Sequence, residues 1–299
     1  MTGSSQASIY RWSKILRRES EVVTWEAVIE ASGLTHAAIS HQAGRKTHFL
    51  EIFDPARDQL VGWQKQFGGE IEFLTATKLE AMSQPSSEEE LRLLKIRDRL
   101  LVVNTADKKN LADIRKQFPG RTVLSYPPGL SFGTGDHATT ASCLRLIADF
   151  SKQREKVEGP AWSFLDLGCG SGILTAAAKA LGADQVLGID FDEMAVRTAR
   201  KLATKNGFAK TDLIEADVLK WKPSRQQTYD LIAANIFHDV LIELFPCLPE
   251  WLNPGGELIV SGILNAQEKS CLSAGEKAGF EFDRVIHKGK WSTAHGKLA

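Results

Sequence analysis

The run Phe164-Leu165-Asp166-Leu167-Gly168-Cys169-Gly170-Ser171-Gly172 constrains this chain more than any other part of it. A short apolar strand leads into three glycines at alternate positions, and a helical pattern follows over residues 173–180. Glycine takes up left-handed backbone without a steric penalty and lets a ligand reach the main chain with no Cβ in the way. Beyond residue 160, apolar or β-branched runs at 163–167, 186–190, 230–234 and 257–261 alternate with helical patterns. Such alternation predicts βαβ units and a mostly parallel sheet, hence an α/β, Rossmann-like, doubly wound domain.

The spacing of the glycines narrows the ligand. It is GxGxG, whereas a pyrophosphate is seated on a helix N-terminus by GxGxxG. S-adenosyl-L-methionine carries no phosphate and suits the shorter spacing. The next strand ends in Gly188-Ile189-Asp190, which puts a carboxylate 22 residues after Gly168, positioned to accept hydrogen bonds from both ribose hydroxyls. Gly168, Gly170 and Asp190 are therefore expected to bind cofactor. Asp217 follows the third strand, where an acidic side chain or its backbone can meet the adenine amino group; a solvated strand-end aspartate is the competing reading.

With 299 residues the chain is expected to hold two domains. Residues 1–82 read as a small α+β domain, with helices at 9–18 and 25–32 and strands at 48–53 and 70–75. Residues 83–125 read as a linker with a connecting helix and strand. Ser87 and Glu90 stand at capping-box spacing before Leu91, Leu93 and Leu94, and residues 99–103 form a strand. Residues 126–299 form the catalytic domain.

Composition excludes several classes. Basic and acidic side chains number 37 each, so no net field draws the molecule to nucleic acid or membrane. Arg11, Lys14, Arg17 and Arg18 read as a solvated helix face in preference to an RNA contact. Four widely spaced cysteines without a CxxC pair argue against zinc and disulfides and for a reducing, cytoplasmic setting. His36, His41 and His48 lack ligand spacing, so no metal is expected. No apolar run approaches the roughly 20 residues that span a bilayer.

The segment Gly129-Leu130-Ser131-Phe132-Gly133-Thr134-Gly135-Asp136-His137-Ala138-Thr139-Thr140 resembles the GLAFGTGTHPTT signature of the ribosomal protein L-eleven methyltransferases, the PrmA family. Residues 166–172, 188–192, Ala234-Asn235-Ile236, Leu252-Asn253-Pro254-Gly255-Gly256 and Ser261-Gly262-Ile263-Leu264 fall in the family's order. The resemblance implies a class I methyltransferase domain with an N-terminal recognition domain. It also implies cofactor contacts at Thr140, Gly168, Asp190 and Asn235, and as substrate the lysine and N-terminal amines of a large-subunit ribosomal protein. Asp136 and Ala138 depart from the signature's Thr and Pro, and Phe237-His238 stand where a small residue is common.

Methyl transfer to an amine needs alignment and a deprotonated nucleophile. Asn235, at the end of the fourth catalytic strand, is the candidate catalytic acceptor; a helix-capping asparagine is its bland alternative. Phe132, Gly133 and Thr134 would close over the methionine end, with Thr140 in the helix beginning at residue 139 or serving only as its cap. His137 is read as structuring the loop. The competing functions are a methyltransferase for another protein, RNA or small molecule, and a catalytically inactive ribosome-associated protein on the same fold. The expected partner is the ribosomal protein, with the enzyme a monomer that need not bind nucleic acid.

Overall fold

The computed structural model describes residues 9–18, 21–22, 24–25, 28–29, 37–41, 48–54, 57–75, 91–127, 137–156, 162–224 and 227–299. The chain divides into two compact units, Met1–Gln84 and Pro85–Ala299.

In the first unit, β1 (Ile9–Leu16), β2 (Ala37–His41), β3 (His48–Asp54) and β4 (Glu70–Leu74) form an antiparallel sheet of order β2-β3-β1-β4, with α1 (Arg57–Phe67) between β3 and β4. Residues 21–22, 24–25 and 28–29 are helical, so the element order is that of a split β-α-β unit. The helix expected at residues 9–18 is instead strand β1. Ile9, Trp12 and Leu16 satisfy a helical spacing, but Trp12 and Leu16 also share one face of a strand, and both are fully buried. Tertiary packing decides between the two. Trp12 meets Trp25 and Trp63 at ring separations of 5.7 and 6.0 Å and donates its indole N–H to Gly68 O at 2.8 Å.

This correction carries the basic cluster with it. Arg11 sits on the central strand and pairs with Glu51 at 2.7 Å and with Glu72, one on each neighbouring strand. Lys14 donates to Phe67 O and lies 5.7 Å from the Trp25 ring. Two of the four cations are thus engaged inside the unit and do not form a solvated helix face.

The second unit opens with a three-stranded sheet of β5 (Leu93–Ile96), β6 (Leu100–Val103) and β7 (Thr122–Ser125), with α2 (Lys108–Gln117) between β6 and β7. The helix expected after residue 90 is strand β5 from Leu93 onward; Ser87 and Glu90 lie outside the described residues. β5 pairs with β6 antiparallel, and Ile96 and the whole of β6 are buried, so the apolar run is recruited by the strand beside it. Residues 93–125 group with the rest of Pro85–Ala299 and do not stand apart as a connection.

The main sheet has seven strands: β8 (Ser163–Leu167), β9 (Gln185–Asp190), β10 (Asp212–Glu215), β11 (Tyr229–Asn235), β12 (Leu252–Leu264), β13 (Phe280–Lys288) and β14 (Trp291–Leu298). Their order is β10-β9-β8-β11-β12-β14-β13. β8 to β12 run parallel, and β14 is antiparallel to both β12 and β13. The helices are α3 (Ala138–Arg154), α4 (Ile173–Ala180), α5 (Glu193–Lys205), α6 (His238–Leu244), α7 (Leu248–Trp251) and α8 (Glu268–Lys277). One apolar cluster joins α3 and α4 to the sheet and another joins α6 to α8, so both faces are covered. Each fully buried Leu or Ile in them contributes about 1.5–3 kcal/mol.

Near the amino end of β12, His295 bridges Glu257 at 2.7 Å and Asp283 at 2.5 Å, stapling β14 to both neighbours. Burial opposes a charge on His295, but its two carboxylate partners outweigh burial and hold its pKa above the ordinary value. Burial likewise opposes ionisation of Glu257, and His295 and Lys297 overcome it, leaving that pKa lowered. The histidine's contribution is therefore complete below its unfolded pKa and is lost as pH rises through the raised one. The glutamate's is complete above the ordinary carboxylate range and is lost as pH falls through its depressed pKa. His295→Gln is expected to cost about 2–3 kcal/mol between about pH 5 and pH 6.5. Urea unfolding across pH should show that difference narrowing on either side; a constant difference would mean the staple acts through shape alone.

Candidate active site

The site lies at the carboxyl ends of the parallel strands, where open α/β sheets bind ligands. β8 is buried throughout, and the turn after it holds Gly168, Gly170 and Gly172 at φ of 72°, 52° and 77°. Gly168 N and Cys169 N both donate to Ile189 O at 2.8 Å, which anchors the turn to the last residues of β9. Asp190, buried at the end of β9, accepts from Gly170 N at 2.8 Å through Oδ2 and from Asp192 N at 3.0 Å through Oδ1. One carboxylate thus shapes the glycine turn while keeping lone pairs on both oxygens for further donors.

The third component comes from β11. Its last residue, Asn235, pairs in register with Ser261 of β12, and Ile236 N donates to Ser261 O at 3.2 Å. Two close approaches hold this corner. A Cβ on Gly168 would fall 2.2 Å from Ile236 Cγ2, and one on Gly262 would fall 2.4 Å from Ile236 O. The segment after β11 is therefore held between the glycine turn and β12. Phe237 is the N-cap of α6 and makes no side-chain cap bond, so Asn235 does not cap that helix. Among the described residues the Asn235 side-chain amide has no hydrogen-bond partner.

Thr140 is buried in the first turn of α3, whose N-cap is His137, so the reading of Thr140 as the cap fails. His137 holds Thr139 through Nδ1 at 2.7 Å, with its ring edge-on to Trp291 at 5.4 Å. Asp217 accepts from Leu219 N at 3.0 Å and pairs with Lys220 at 2.8 Å, which lowers its pKa. Its carboxylate is tied to its own turn, and Ala216 N, beside it, bonds to Asp190 O at 2.9 Å. Phe132, Gly133 and Thr134 lie outside the described residues, as does Asp136.

Asp166 carries a role that sequence reasoning did not assign. It is buried near the carboxyl end of β8, where Oδ2 accepts from Thr175 Oγ1 at 2.6 Å and Thr175 N at 3.1 Å, while Oδ1 has no partner among the described residues. Burial, with the charge of Asp190 adding to it, pushes its pKa up to about 7 against the Thr175 bonds. A carboxylate inside an otherwise apolar strand was the signal. Tyr126, just after β7, is also buried, which raises its pKa against a hydrogen bond with Ser171 of the glycine turn. Asn206, the C-cap of α5, accepts from Ser125 N at 2.8 Å and donates to Ser125 O at 2.9 Å. These contacts dock the small sheet beside the site, and nothing local in the sequence announces them.

The donor set can be tested against a ligand. Asp166 and Asp190 flank a turn, residues 168–172, that holds no Lys or Arg. A Cβ on Gly170 would meet nothing within 4 Å, so the turn's apex backbone is open to a ligand. Acidic groups flanking a turn that has no Lys or Arg of its own fit the positively charged S-adenosyl-L-methionine better than a dinucleotide pyrophosphate.

Strand order, the antiparallel β14, the glycine turn after β8 and the carboxylate ending β9 together define a class I methyltransferase domain. Residues 78–299 match the family described as ribosomal protein L11 methyltransferase (PrmA). The chain belongs to that family. It is 40% identical over 174 residues to a ribosomal protein L11 methyltransferase of Desulforapulum autotrophicum, covering 58% of this chain and 54% of the relative. One from Brucella suis is 38% identical over 182 residues, covering 60% and 62%. The chain therefore spans less than two thirds of the length of these curated relatives. A crystal structure of ribosomal protein L11 methylase from Lactobacillus delbrueckii subsp. bulgaricus superposes with a TM-score of 0.55 at 27% identity, over 69% of this chain and 98% of that one.

Proposed function

We propose that this protein transfers methyl groups from S-adenosyl-L-methionine to amino groups, lysine side chains and the N-terminal amine, of a large-subunit ribosomal protein. The observation that supports the reading most is the close approach of Ile236, the residue after Asn235, to Gly168 of the glycine turn. Family membership and the names of the relatives supply the substrate class.

When bound, the cofactor supplies an electrophilic methyl on a sulfonium. Asp190 would hold the ribose hydroxyls, and the backbone of the turn after Gly168 would carry the methionine part. The amide oxygen of Asn235, without a hydrogen-bond partner among the described residues, would accept an N–H of the incoming amine and turn its lone pair toward the methyl carbon. The bound cofactor would give its methyl carbon to the amine nitrogen and keep the S–C bonding pair as a neutral thioether, so the positive charge would move to nitrogen and the ammonium's proton to water. Alignment and exclusion of solvent supply the acceleration, and no covalent nucleophile is needed. The engagement of His137 with Thr139 and Trp291 supports a structural role for it.

Residues 1–82 serve as the recognition domain on this reading, and the enzyme acts as a cytoplasmic monomer. Among the described residues no helix is long and apolar enough to cross a membrane. The test is transfer of isotope label from adenosylmethionine to unmethylated large-subunit proteins, resolved by mass spectrometry. Label should appear on lysines or the N-terminus of one ribosomal protein. With Asp190→Ala it should disappear, because cofactor affinity is expected to fall about a hundredfold once the carboxylate bonds are gone. Cofactor binding without label on any ribosomal protein would sink the substrate assignment.

A further inference from the structure

Two sets of bonds hold the glycine turn of residues 168–172. One comes from the end of β9, where Ile189 O and the Asp190 carboxylate take the turn's amides. The other comes from outside the seven-stranded sheet. Ser171, inside the turn, and Tyr126, just after β7, are each 4% exposed and share a hydrogen bond. Burying two hydroxyls is costly unless they meet, and phenylalanine would fill nearly the same space as Tyr126 without that demand. Such a pair fixes relative position where an apolar contact would tolerate a slide. Space around Gly170 is open, so packing does not place the apex of the turn and the bonds around it must.

Tyr126 is itself fixed from α5. Its N–H donates to Val103 O at 2.7 Å, and Ser125 before it ends β7, an edge strand of the small sheet. Asn206 closes that edge. Its amide accepts from Ser125 N at 2.8 Å and donates to Ser125 O at 2.9 Å, the two bonds that a residue of a neighbouring strand would make. A third bond, to Leu202 O at 3.0 Å, ties the amide to α5. The same helix meets the turn directly, since a Cβ on Gly172 would fall 2.6 Å from Ala199 Cβ. Helix α5 thus holds the turn twice, by Ala199 against Gly172 and by the bonds that run from Asn206 through Ser125 and Tyr126 to Ser171. We propose that Tyr126 and Asn206 are positioning residues for the cofactor, acting through Ser171 on the backbone that receives it. This deepens the proposed function and rests on its assignment of the glycine turn to the methionine part. Neither residue takes part in bond making, and the small sheet becomes a working part of the cofactor site.

The test is calorimetric titration of the full chain with adenosylmethionine, with no substrate protein present, at a temperature where thermal melts show each variant folded. Tyr126→Phe and Ser171→Ala should each weaken binding about tenfold, the effect of one buried hydrogen bond. The double variant should lose no more than either single one, because both remove the same bond. Asn206→Ala should weaken binding about three- to tenfold and add less than about twofold to the loss in Tyr126→Phe. A purely structural role would lower the melting temperature and leave the affinity of the folded protein unchanged. Affinity within about twofold of wild type in Tyr126→Phe, or losses that multiply when Tyr126→Phe and Ser171→Ala are combined, would overturn the inference. That cycle decides the matter even if Asn206→Ala does not fold. The shared loss in a protein that labels no ribosomal protein would uphold the inference and remove only the substrate assignment.

Discussion

Gly168→Ala should lower cofactor affinity by about a hundredfold or more and destabilise the second unit by about 3–5 kcal/mol. Two independent penalties meet there. The backbone at φ of 72° lies in the left-handed region, and the new Cβ would sit 2.2 Å from Ile236 Cγ2. Neither side can yield easily. Gly168 N is bonded to Ile189 O, and Ile236 is backed by Gly262, where the chains already approach too closely for a side chain. Relief therefore has to come from the glycine turn itself, which also carries the Asp190 contact through Gly170 N. Calorimetric titration with adenosylmethionine and a thermal melt would measure both effects. The double variant Gly168→Ala with Ile236→Ala should recover part of the stability while leaving the backbone penalty. Affinity within a few-fold of wild type in the single variant would show that the turn does not carry the cofactor.

Asn235→Ala is expected to reduce turnover by about 10²–10³, the usual effect of removing one positioned hydrogen-bonding group at a reacting centre. Cofactor affinity should change by less than about threefold, since the contacts proposed for Gly168, Gly170 and Asp190 would remain. Stability should move little as well, because the side chain has no hydrogen-bond partner among the described residues and does not cap α6. That separation distinguishes an acceptor from a structural asparagine, whose loss would appear first in the melt. Single-turnover label transfer beside a binding isotherm makes the comparison. Unchanged turnover would leave the acceptor role to the main-chain carbonyl or to another group.

How much of this was legible beforehand differs between the two units. In the second unit the strands at 163–167, 186–190, 230–234 and 257–261 all fall within observed strands of the main sheet. Apolar runs bounded by glycine and carboxylate have only one way to satisfy their backbone when helices cover both faces. In the first unit the basic residues Arg11, Lys14, Arg17 and Arg18 around Trp12 and Leu16 disguised a central strand as an amphipathic helix. Only the partners Glu51 and Glu72, 40 and 61 residues away, explain Arg11.

The sequence by itself determined the parallel α/β sheet, the glycine turn, Asp190 at the end of the second catalytic strand and Asn235 at the end of the fourth. Each of these depends on local backbone chemistry: left-handed glycine, strand alternation and a side chain at a strand's end. Tertiary structure alone decided that β1 and β5 are strands, and that Asn206 fastens the small sheet beside the site. It also decided that Asp166 is a buried carboxylate with a pKa raised to about 7, and that Ile236 packs against Gly168. Those outcomes come from contacts between residues far apart in the chain, which no local propensity records.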